Sequence, residues 1–338
     1  MGNMQKYCNE YWNHIKERFG DLPLSREAIK NSIIKYDIKD EMGYPGDPWQ
    51  KMCCYQIASD GFDCDVARLT VLQYAIAFPY LLKAGWTIRN QSQRGVKWEF
   101  VNSEYDFKYR GDTMNSYNTT VHKYVGCWDE SDILKKNRCY SACASYHAQE
   151  FIRLRDTVGN YIPVPFAYCG KRGAIGKEFN RPRGTSSAIQ DYWDLTLYYI
   201  YSWYRAVAAG EPFVVANEKL KSLVKNSDES VELCSEWLKS FADKGKPSWQ
   251  IFVKENYMQD FVEGSESELF GAPKVLWKGH FDPKAAVLPT KQQCEEFFQN
   301  ASLWILARGE RIAEAIMQKL EEVLGQQFWT KDEKKLGE

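Results

Sequence analysis

The chain has 338 residues, of which 44% are apolar; this excludes an intrinsically disordered protein and allows one large domain or two smaller ones. Its net charge of −1 argues against a broad basic surface for duplex nucleic acid, although a local basic cleft stays compatible with it. The 12 Trp, 21 Tyr and 17 Phe indicate an aromatic-rich core, with a minority of rings available to stack on bases or sugars.

The first part of the chain, residues 1–85, is predicted to be a helical region. Residues 1–40 are amphipathic, and Ser25 is a candidate N-cap for a second helix. Residues 66–82 are the longest apolar stretch, but they are shorter than a typical membrane span and include Arg68, Gln73 and Pro79. We therefore expect a buried helix there, no membrane partner and, with no apolar signal core at the N-terminus, a cytoplasmic protein.

Residues 86–330 are predicted to form one compact α+β unit, so the fold class is mainly helical with a small antiparallel sheet. Apolar and polar residues alternate over 86–101 and 104–110, which predicts a hairpin and a third strand ending at Gly111. Helical spacing predicts helices over several later segments, namely 131–155, 187–209, 218–223, 230–241, 249–261 and 291–324. We expect loops at 157–184 and at the acidic residues 263–270, and an edge strand at 274–277.

The first candidate site follows the third strand. Arg110 at a strand end, next to Gly111, can hold a phosphate while the backbone approaches closely, and Asp112 can orient Arg110 or a ribose hydroxyl. The short polar residues Thr113, Asn115 and Ser116 add ligand-binding groups. The alternative is an ordinary turn in which Asp112 makes a local side-chain bond.

The second candidate is the basic, glycine-containing run 171–184, from which Arg172 and Arg183 are taken as ligand-binding residues. It leads into a helix N-terminus, and basic side chains with free helix amides make an anion site. The spacing is not that of a phosphate-binding P-loop. A solvated basic loop is the alternative, and Asn160, just upstream, is a further ligand-binding candidate.

Two acidic and two basic residues complete the set. Glu266 and Glu268 lie on one side of an extended segment and are candidates for a catalytic acid, base or oxocarbenium stabiliser; an acidic surface loop is the alternative. Arg308 and Arg311 are one helical turn apart, so both can face a cleft or lie on a solvated face.

The ten cysteines are scattered without a CxxC pair, which is typical of reduced thiols. Cys139, Cys143 and His147 share a predicted helix face and, with Cys127, are conceivable zinc ligands. A small, buried helix face is the favoured interpretation, so no metal is predicted. Nucleophile-elbow and HExxH patterns are absent from the sequence, which disfavours serine or thermolysin-type hydrolysis.

Several of these segments together resemble an uncharacterised bacterial family, a domain of unknown function. Its pattern comprises an aromatic-rich strand ending in Arg-x-Asp-Thr, then Thr-[IV]-Gly-[NG] before a proline, Arg-Gly ahead of Asp-Tyr-x-Asp-Leu-Thr-Leu, and a late Ala-Arg-x-x-Arg-Ile. The similar segments here are 107–113, 157–160 with Pro163, 183–184, 191–197 and 307–312. The resemblance covers roughly residues 100–315 and groups the motifs, but it implies no activity.

Three hypotheses about function follow, two of them enzymatic or nucleic-acid-directed and one non-enzymatic. Arg110 in the YRGDT segment is similar to the strand-end arginine that holds the NAD phosphates in ADP-ribosyltransferases, with Glu266 or Glu268 as the ribose-binding carboxylate and NAD as the cofactor or substrate. The alternative is a nucleic-acid-binding or nuclease-like protein of bacterial defence or toxin type. Residues 157–165 are similar to a segment beside the metal site of HNH nucleases, whose histidines are missing here. The third hypothesis is a non-enzymatic interaction protein.

Overall fold

The computed structural model describes residues 2–20, 25–38, 67–81, 85–91, 97–105, 107–115, 145–167, 193–223, 228–276 and 291–325. Within these ranges the fold is α+β and mainly helical with small antiparallel sheets, which confirms the predicted class. Among the helices in these ranges, none is both long enough and apolar enough to cross a membrane.

The helices are numbered in chain order and connected in part by short 3₁₀ turns. They are α1 (Gly2–Phe19), α2 (Arg26–Lys35), α3 (Arg68–Ala77), α4 (Tyr146–Leu154), α5 (Trp193–Ala208), α6 (Phe213–Ala216), α7 (Asp228–Lys239), α8 (Trp249–Glu255) and α9 (Lys291–Leu324). The Ser25 hydroxyl accepts a hydrogen bond from the Ala28 amide, as an N-cap should. Helix α9 is the long helix predicted from the sequence, and α1, α2, α3 and α4 all pack against it.

A four-stranded antiparallel sheet lies beside these helices in the order β1 (Thr87–Gln91), β2 (Lys97–Val101), β3 (Phe107–Thr113), β4 (Tyr161–Ala167). The first two strands match the predicted hairpin. The third strand was predicted over 104–110 and ending at Gly111, but β3 continues through Gly111 to Thr113 because these residues pair with β4, so Arg110 lies in mid-strand. β4 falls in a segment that the sequence predicted as loop, because Pro163 and Pro165 interrupt it. Proline cannot donate to a sheet ladder, and β4 tolerates both because it pairs with β3 and is a terminal strand of this sheet.

Two short hairpins complete the described architecture: β5 (Ala242–Asp243) with β6 (Lys246–Pro247), and β7 (Val262–Ser265) with β8 (Leu269–Pro273). The expected acidic loop at 263–270 is therefore largely a hairpin, and the strand expected at 274–277 lies earlier, at β8. The hairpin depends on Gly264, whose φ is +82°, because a Cβ there would lie 2.2 Å from the Leu269 carbonyl oxygen.

Aromatic side chains join the sheet to the helices. The Tyr80 ring contacts the rings of Tyr109 on β3 and Phe241 after α7, with centroid distances of 5.7 and 5.1 Å. Trp86, at the entry to β1, packs edge-on against Tyr109 at 4.8 Å. One face of the sheet thus packs against the core. The charged residues of β3 lie on its opposite face.

Candidate functional site

The polar face of the sheet is defined by alternation along β3. Because successive strand side chains point to opposite faces, Lys108, Arg110 and Asp112 lie together, opposite the face that carries Phe107 and Tyr109. The register pairs Phe100 with Tyr109 and Arg89 with Glu99. Arg89 and Glu99 therefore lie on the same face as the charged residues of β3, and we call these four residues, Arg89, Glu99, Lys108 and Arg110, the cation cluster.

Glu99 is the centre of the cation cluster. Its side chain has no exposed area, and one carboxylate oxygen accepts from Lys108 Nζ at 2.7 Å and Arg110 Nη2 at 2.9 Å. The other oxygen accepts from Arg89 Nη2 at 2.5 Å. Two guanidinium groups are thereby fixed within the width of one carboxylate. Arg110 keeps 14% of its side chain exposed and Arg89 keeps 51%, so the cluster opens to solvent at Arg89.

The protonation state of Glu99 follows from this geometry. Burial alone would raise the pKa of the Glu99 carboxyl, but hydrogen bonds from Lys108, Arg89 and Arg110 outweigh burial and lower it. The carboxylate is therefore charged at neutral pH and holds both arginines in place. A guanidinium held in this way presents its remaining N–H groups without a further entropic cost of ordering.

Asp112 and Thr113 lie at the end of the same strand, both partly buried. The Asp112 Oδ1 accepts from the Thr113 amide at 2.9 Å, which is the local side-chain bond expected of the turn alternative. Alternation along β3 puts Asp112 on the same face as Arg110, as the sequence grouping required. Ser116, the last residue of that predicted group, lies outside the described residues.

Asn115 and Asn160 form a buried pair. The Asn160 Nδ2 donates to the carbonyls of Asn115 and Arg155, both at 2.8 Å, and its Oδ1 accepts from the Asn115 amide at 3.1 Å. Asn115 Oδ1 in turn accepts from the first amide of α5, that of Trp193, at 3.1 Å. Both side chains have 0% exposure, so their hydrogen-bonding groups serve other groups of the same chain and are not open to a ligand.

Arg308 is also fully buried. Its guanidinium donates to the carbonyls of Gly159 and Tyr161 at 2.8 Å, and to two more at 3.0 and 3.3 Å, those of Asn256 and Val158. Burial lowers the pKa of Arg308 to about 10, against the opposing effect of nearby tyrosines. At neutral pH it remains a cation, and within the described part of the chain carbonyl dipoles surround it instead of a carboxylate.

Arg308 and Arg110 do not converge on one pocket. Arg308 lies over the Phe78 ring at 5.8 Å, and Phe78 contacts Tyr80, which packs on Tyr109. That is the core side of the sheet, whereas the Arg110 side chain points to the polar side. The two predicted ligand-binding arginines therefore serve different parts of the molecule.

The turn that Arg308 binds also packs closely against α9. A Cβ on Gly159 would lie 2.1 Å from the Ile305 carbonyl oxygen and 3.0 Å from the Gly309 amide nitrogen. Segments grouped by the resemblance therefore meet at a buried junction: 157–160 contacts 307–312 directly. Asn115, two residues after the segment 107–113, joins Asn160 to Trp193 in the described part of 191–197. Internal hydrogen bonds account for Asn115, Asn160 and the Nε and Nη1 groups of Arg308, while the buried Nη2 of Arg308 has no partner among the described residues.

Arg311 lies one turn beyond Arg308 and is exposed over 43% of its side chain. It pairs with Asp260 at 2.8 Å; that hydrogen bond, reinforced by the more distant charges of Glu266 and Glu310, raises the pKa of Arg311. Glu266 is thus within electrostatic reach of Arg311. Glu266 and Glu268 are both exposed, in the β7–β8 turn, so their surroundings match the acidic surface alternative.

The remaining predicted groups lie outside the described residues: Arg172, Arg183, Cys127, Cys139 and Cys143. Within the described ranges no set of three or more His, Cys, Asp or Glu side chains is arranged to hold a metal ion. His147, the fourth member of the cysteine set, lies at the start of α4, where its ring contacts Tyr146.

Sequence reasoning missed Arg89, Glu99 and Lys108 as parts of a site. A signal was present, because residues 89 and 99 lie on the two arms of the predicted hairpin, and in the structure they pair directly across it. Lys108 is two residues before Arg110 and so shares its face. Counting charges on each face of the predicted hairpin would have found the cation cluster.

No protein-family model, curated protein or solved structure matches the chain. The resemblance of its motifs to an uncharacterised bacterial family therefore stays a prediction.

Proposed function

We propose that the cation cluster binds an anionic ligand of the nucleotide type. The observation that carries this proposal is the pair of guanidinium groups, Arg89 and Arg110, held on the single buried carboxylate of Glu99. Arg89 leaves half of its side chain in solvent, where a phosphate can reach it. Planar N–H donors in a fixed orientation are what bidentate phosphate recognition requires.

Glu99 does not abolish the attraction for an anion. Its carboxylate takes the Nε and Nη2 groups of Arg89 and leaves the rest of that half-exposed guanidinium for a second acceptor. It also keeps the guanidinium groups close together, against their mutual repulsion, so that a phosphate meets them already ordered. Asp112 on the same face is in a position to accept from a ribose hydroxyl or to orient Arg110.

The finer form of the proposal is ADP-ribosyl transfer from NAD, with Arg110 at the phosphates. Support for it comes from the face that Arg110 shares with Asp112. Arg110 itself lies in the middle of β3 and not at a strand end, so the likeness to the strand-end arginine of those enzymes gives no support. Glu266 or Glu268 would supply the carboxylate at the ribose. Both are exposed, and Glu266 lies near Arg311, so the transfer step has less structural support than anion binding at the cation cluster.

The test compares binding of NAD, ADP-ribose and ADP by wild-type protein, Arg89→Ala and Arg153→Ala. Arg153 is the matched control, since it also pairs with a glutamate and is 57% exposed against 51% for Arg89. Loss of one charge-assisted contact should weaken binding about 10- to 100-fold in Arg89→Ala only. Release of nicotinamide, followed by mass spectrometry, tests the transfer step separately.

The proposal is wrong if none of the three ligands binds at millimolar concentration, or if Arg89→Ala and Arg153→Ala bind equally well. Binding of ADP without any consumption of NAD would keep the anion site and remove the transferase. Salt-dependent binding of a single-stranded oligonucleotide, with no affinity for the mononucleotides, would favour the nucleic-acid alternative instead.

A further inference from the structure

The two arginines of the cation cluster contact Glu99 in the same way. Arg89 donates through Nε and Nη2 to one carboxylate oxygen, at 3.2 and 2.5 Å. Arg110 donates through the same pair of nitrogens to the other oxygen, at 3.2 and 2.9 Å. Among the described residues nothing pairs with the Nη1 group of Arg89. The outer edge of this guanidinium, formed by Nη1 and Nη2, therefore presents two parallel N–H groups to a ligand.

The cluster is most accessible at its β1 end. Its side chains form a row across the sheet, because Arg89 pairs with Glu99 and Arg110 pairs with Val164 on neighbouring strands. The exposed fraction of the side chain falls from 51% at Arg89 to 14% at Arg110, and Val164 beyond it is buried. A ligand that approaches from β1 therefore meets the outer edge of Arg89 first.

The positive charge of this row exceeds what Arg89 alone supplies. Arg89, Lys108 and Arg110 are cations and Glu99 is a carboxylate, so the net charge of the cluster is +2. Lys108 contributes to it without being reachable, because its side chain is only 3% exposed and its Nζ lies 2.7 Å from Glu99. Since Lys108 offsets the carboxylate, an approaching anion is attracted by two uncompensated positive charges.

Two other charged features of the described residues lie near this row. Asp112 is on the same face, two residues further along β3, which is about 7 Å in strand geometry. Arg68 and Glu10 pair with each other on the opposite face of β2, where the Arg68 guanidinium lies 4.4 Å from the centre of the Trp98 ring. The Asp112 carboxylate is thus on the β3 side of the row, away from the β1 end that solvent reaches.

Phosphate groups differ in the charge that they bring to such a row. A terminal phosphate carries about 1.5 to 2 negative charges at pH 7, because its second pKa is about 6, whereas a phosphate esterified on both sides carries a single charge. The free oxygens of a terminal phosphate also match a pair of parallel N–H groups, and bidentate charged contacts of this kind are strong. The row therefore favours the phosphate with two charges.

We infer that the cation cluster recognises a terminal phosphate as the dianion, so that its ligand is a nucleotide with a free phosphate end. This inference rests on the anion site proposed above and does not depend on ADP-ribosyl transfer. The phosphate binds the outer edge of Arg89. Lys108 determines the charge preference without touching the ligand, since it acts through Glu99. In the comparison of NAD, ADP-ribose and ADP, only ADP has a terminal phosphate, and it should bind most tightly.

The test compares adenosine 5′-monophosphate with its phosphate methyl ester, which has nearly the same shape but a single charge, by calorimetric titration at pH 8 and pH 5. At pH 8 the monophosphate should bind about fivefold or more tightly, as expected for one additional charge beside a half-exposed guanidinium. At pH 5 its phosphate carries one charge, and the two affinities should agree within about twofold. The lowered pKa of the Glu99 carboxyl keeps it ionised over this range, and the methyl ester controls for any other change in the protein.

Variants of Lys108 test the origin of the preference. Lys108→Met lowers the net charge of the cluster from +2 to +1 and should reduce the ratio of the two affinities at pH 8 about twofold or more. Lys108→Arg keeps the charge and should retain the ratio of the wild type. A merely structural role of Lys108 would weaken both ligands alike and leave the ratio unchanged. If Lys108→Met does not fold, the pH comparison on the wild type still decides the inference.

The outcomes separate this inference from the anion site itself. Equal affinities for the monophosphate and its methyl ester at pH 8, both weakened in Arg89→Ala, would overturn the terminal-phosphate inference and leave the anion site in place. A preference that does not shrink at pH 5 would also overturn it, and an unchanged ratio in Lys108→Met would remove the role of Lys108. If neither ligand binds, or Arg89→Ala binds both as Arg153→Ala does, the anion site is wrong as well.

Discussion

Replacing Gly159 by Ala tests the buried junction more directly than any other single change. The new Cβ would lie 2.1 Å from the Ile305 carbonyl oxygen, about 0.9 Å inside the 3.0 Å below which such contacts are essentially never found. The opposing atoms belong to the backbone of α9 and cannot rotate away as a side chain would. Either α9 or the turn at 158–160 therefore has to move.

The size of the effect follows from what that movement breaks. Overpacking of a tight interior costs about 1–3 kcal/mol. A shift of about 1 Å between the turn and α9 would also lengthen the bonds from Arg308 to the Gly159 and Tyr161 carbonyls, now 2.8 Å, each of which contributes about 1 kcal/mol or more. We expect Gly159→Ala to lose about 3–5 kcal/mol of unfolding free energy, and the urea midpoint to fall by about 1 M.

Gly309→Ala is the matched control, since these two glycines face each other across the same contact. A Cβ on Gly309 meets its nearest atoms, Gly159 Cα and N and Ile34 Cγ2, at 3.7–3.9 Å, which is ordinary van der Waals distance. In the interior of α9 alanine should add up to about 1 kcal/mol through helix propensity. If the two variants unfold at the same urea concentration, or Gly159→Ala matches the wild type, the close approach is not a packing constraint.

Three further predictions concern the polar groups around this junction and the cation cluster. Asn160→Asp puts a carboxylate against the carbonyls of Asn115 and Arg155, and should lower the free energy of unfolding by about 3 kcal/mol at pH 7. The pKa of this buried Asp would be raised, so urea titrations should show a smaller destabilisation as the pH falls towards about 5. Glu99→Gln removes the carboxylate shared by three cations and should cost about 3–5 kcal/mol. Since the folded pKa of Glu99 is lowered, its stabilisation is complete above the ordinary value of 4.5 and disappears as pH falls through the lowered one, so the variant should lose less stability than the wild type on acidification. Arg308→Lys should cost at least about 3 kcal/mol, because one ammonium cannot serve four carbonyls, while Arg311→Lys should cost under about 1 kcal/mol in the same assay.

Alternation and helical spacing in the sequence correctly predicted the strands and helices that depend on neighbouring residues alone. The alternation over 86–110 predicted β1, β2 and β3, and the three-and-four spacing over 291–324 predicted α9. β4 was hidden because its prolines suggest a loop, and only the pairing with β3 shows that an edge position accommodates them. The β7–β8 hairpin was hidden for a related reason, since its turn depends on a left-handed Gly264 and on Leu269 with a φ of 68°.

The candidate residues show a sharper limit. Arg308 and Arg311 are a turn apart on one helix, and nothing in their immediate neighbours separates them. The difference arises from the turn at 158–161, about 150 residues earlier, which covers Arg308 and leaves Arg311 in solvent. Asn115 and Asn160 are likewise joined only through tertiary packing. Sequence motifs identified residues that need specific partners, but those partners are carbonyls of the chain itself.

This distinction decides where a ligand can be sought. A buried donor whose hydrogens serve backbone carbonyls can bind a ligand only by giving up those bonds, and each carbonyl left behind costs about 1–3 kcal/mol. Arg308 makes four such bonds through Nε and Nη1, and its Nη2, without a partner among the described residues, is itself buried, so a ligand could reach the guanidinium only by displacing the turn at 158–161. Arg89 has no such conflict, because its carboxylate partner leaves half of the side chain exposed and N–H groups for a second acceptor. Chemistry on this protein should therefore be sought first at the cation cluster, and only afterwards at the motif junction.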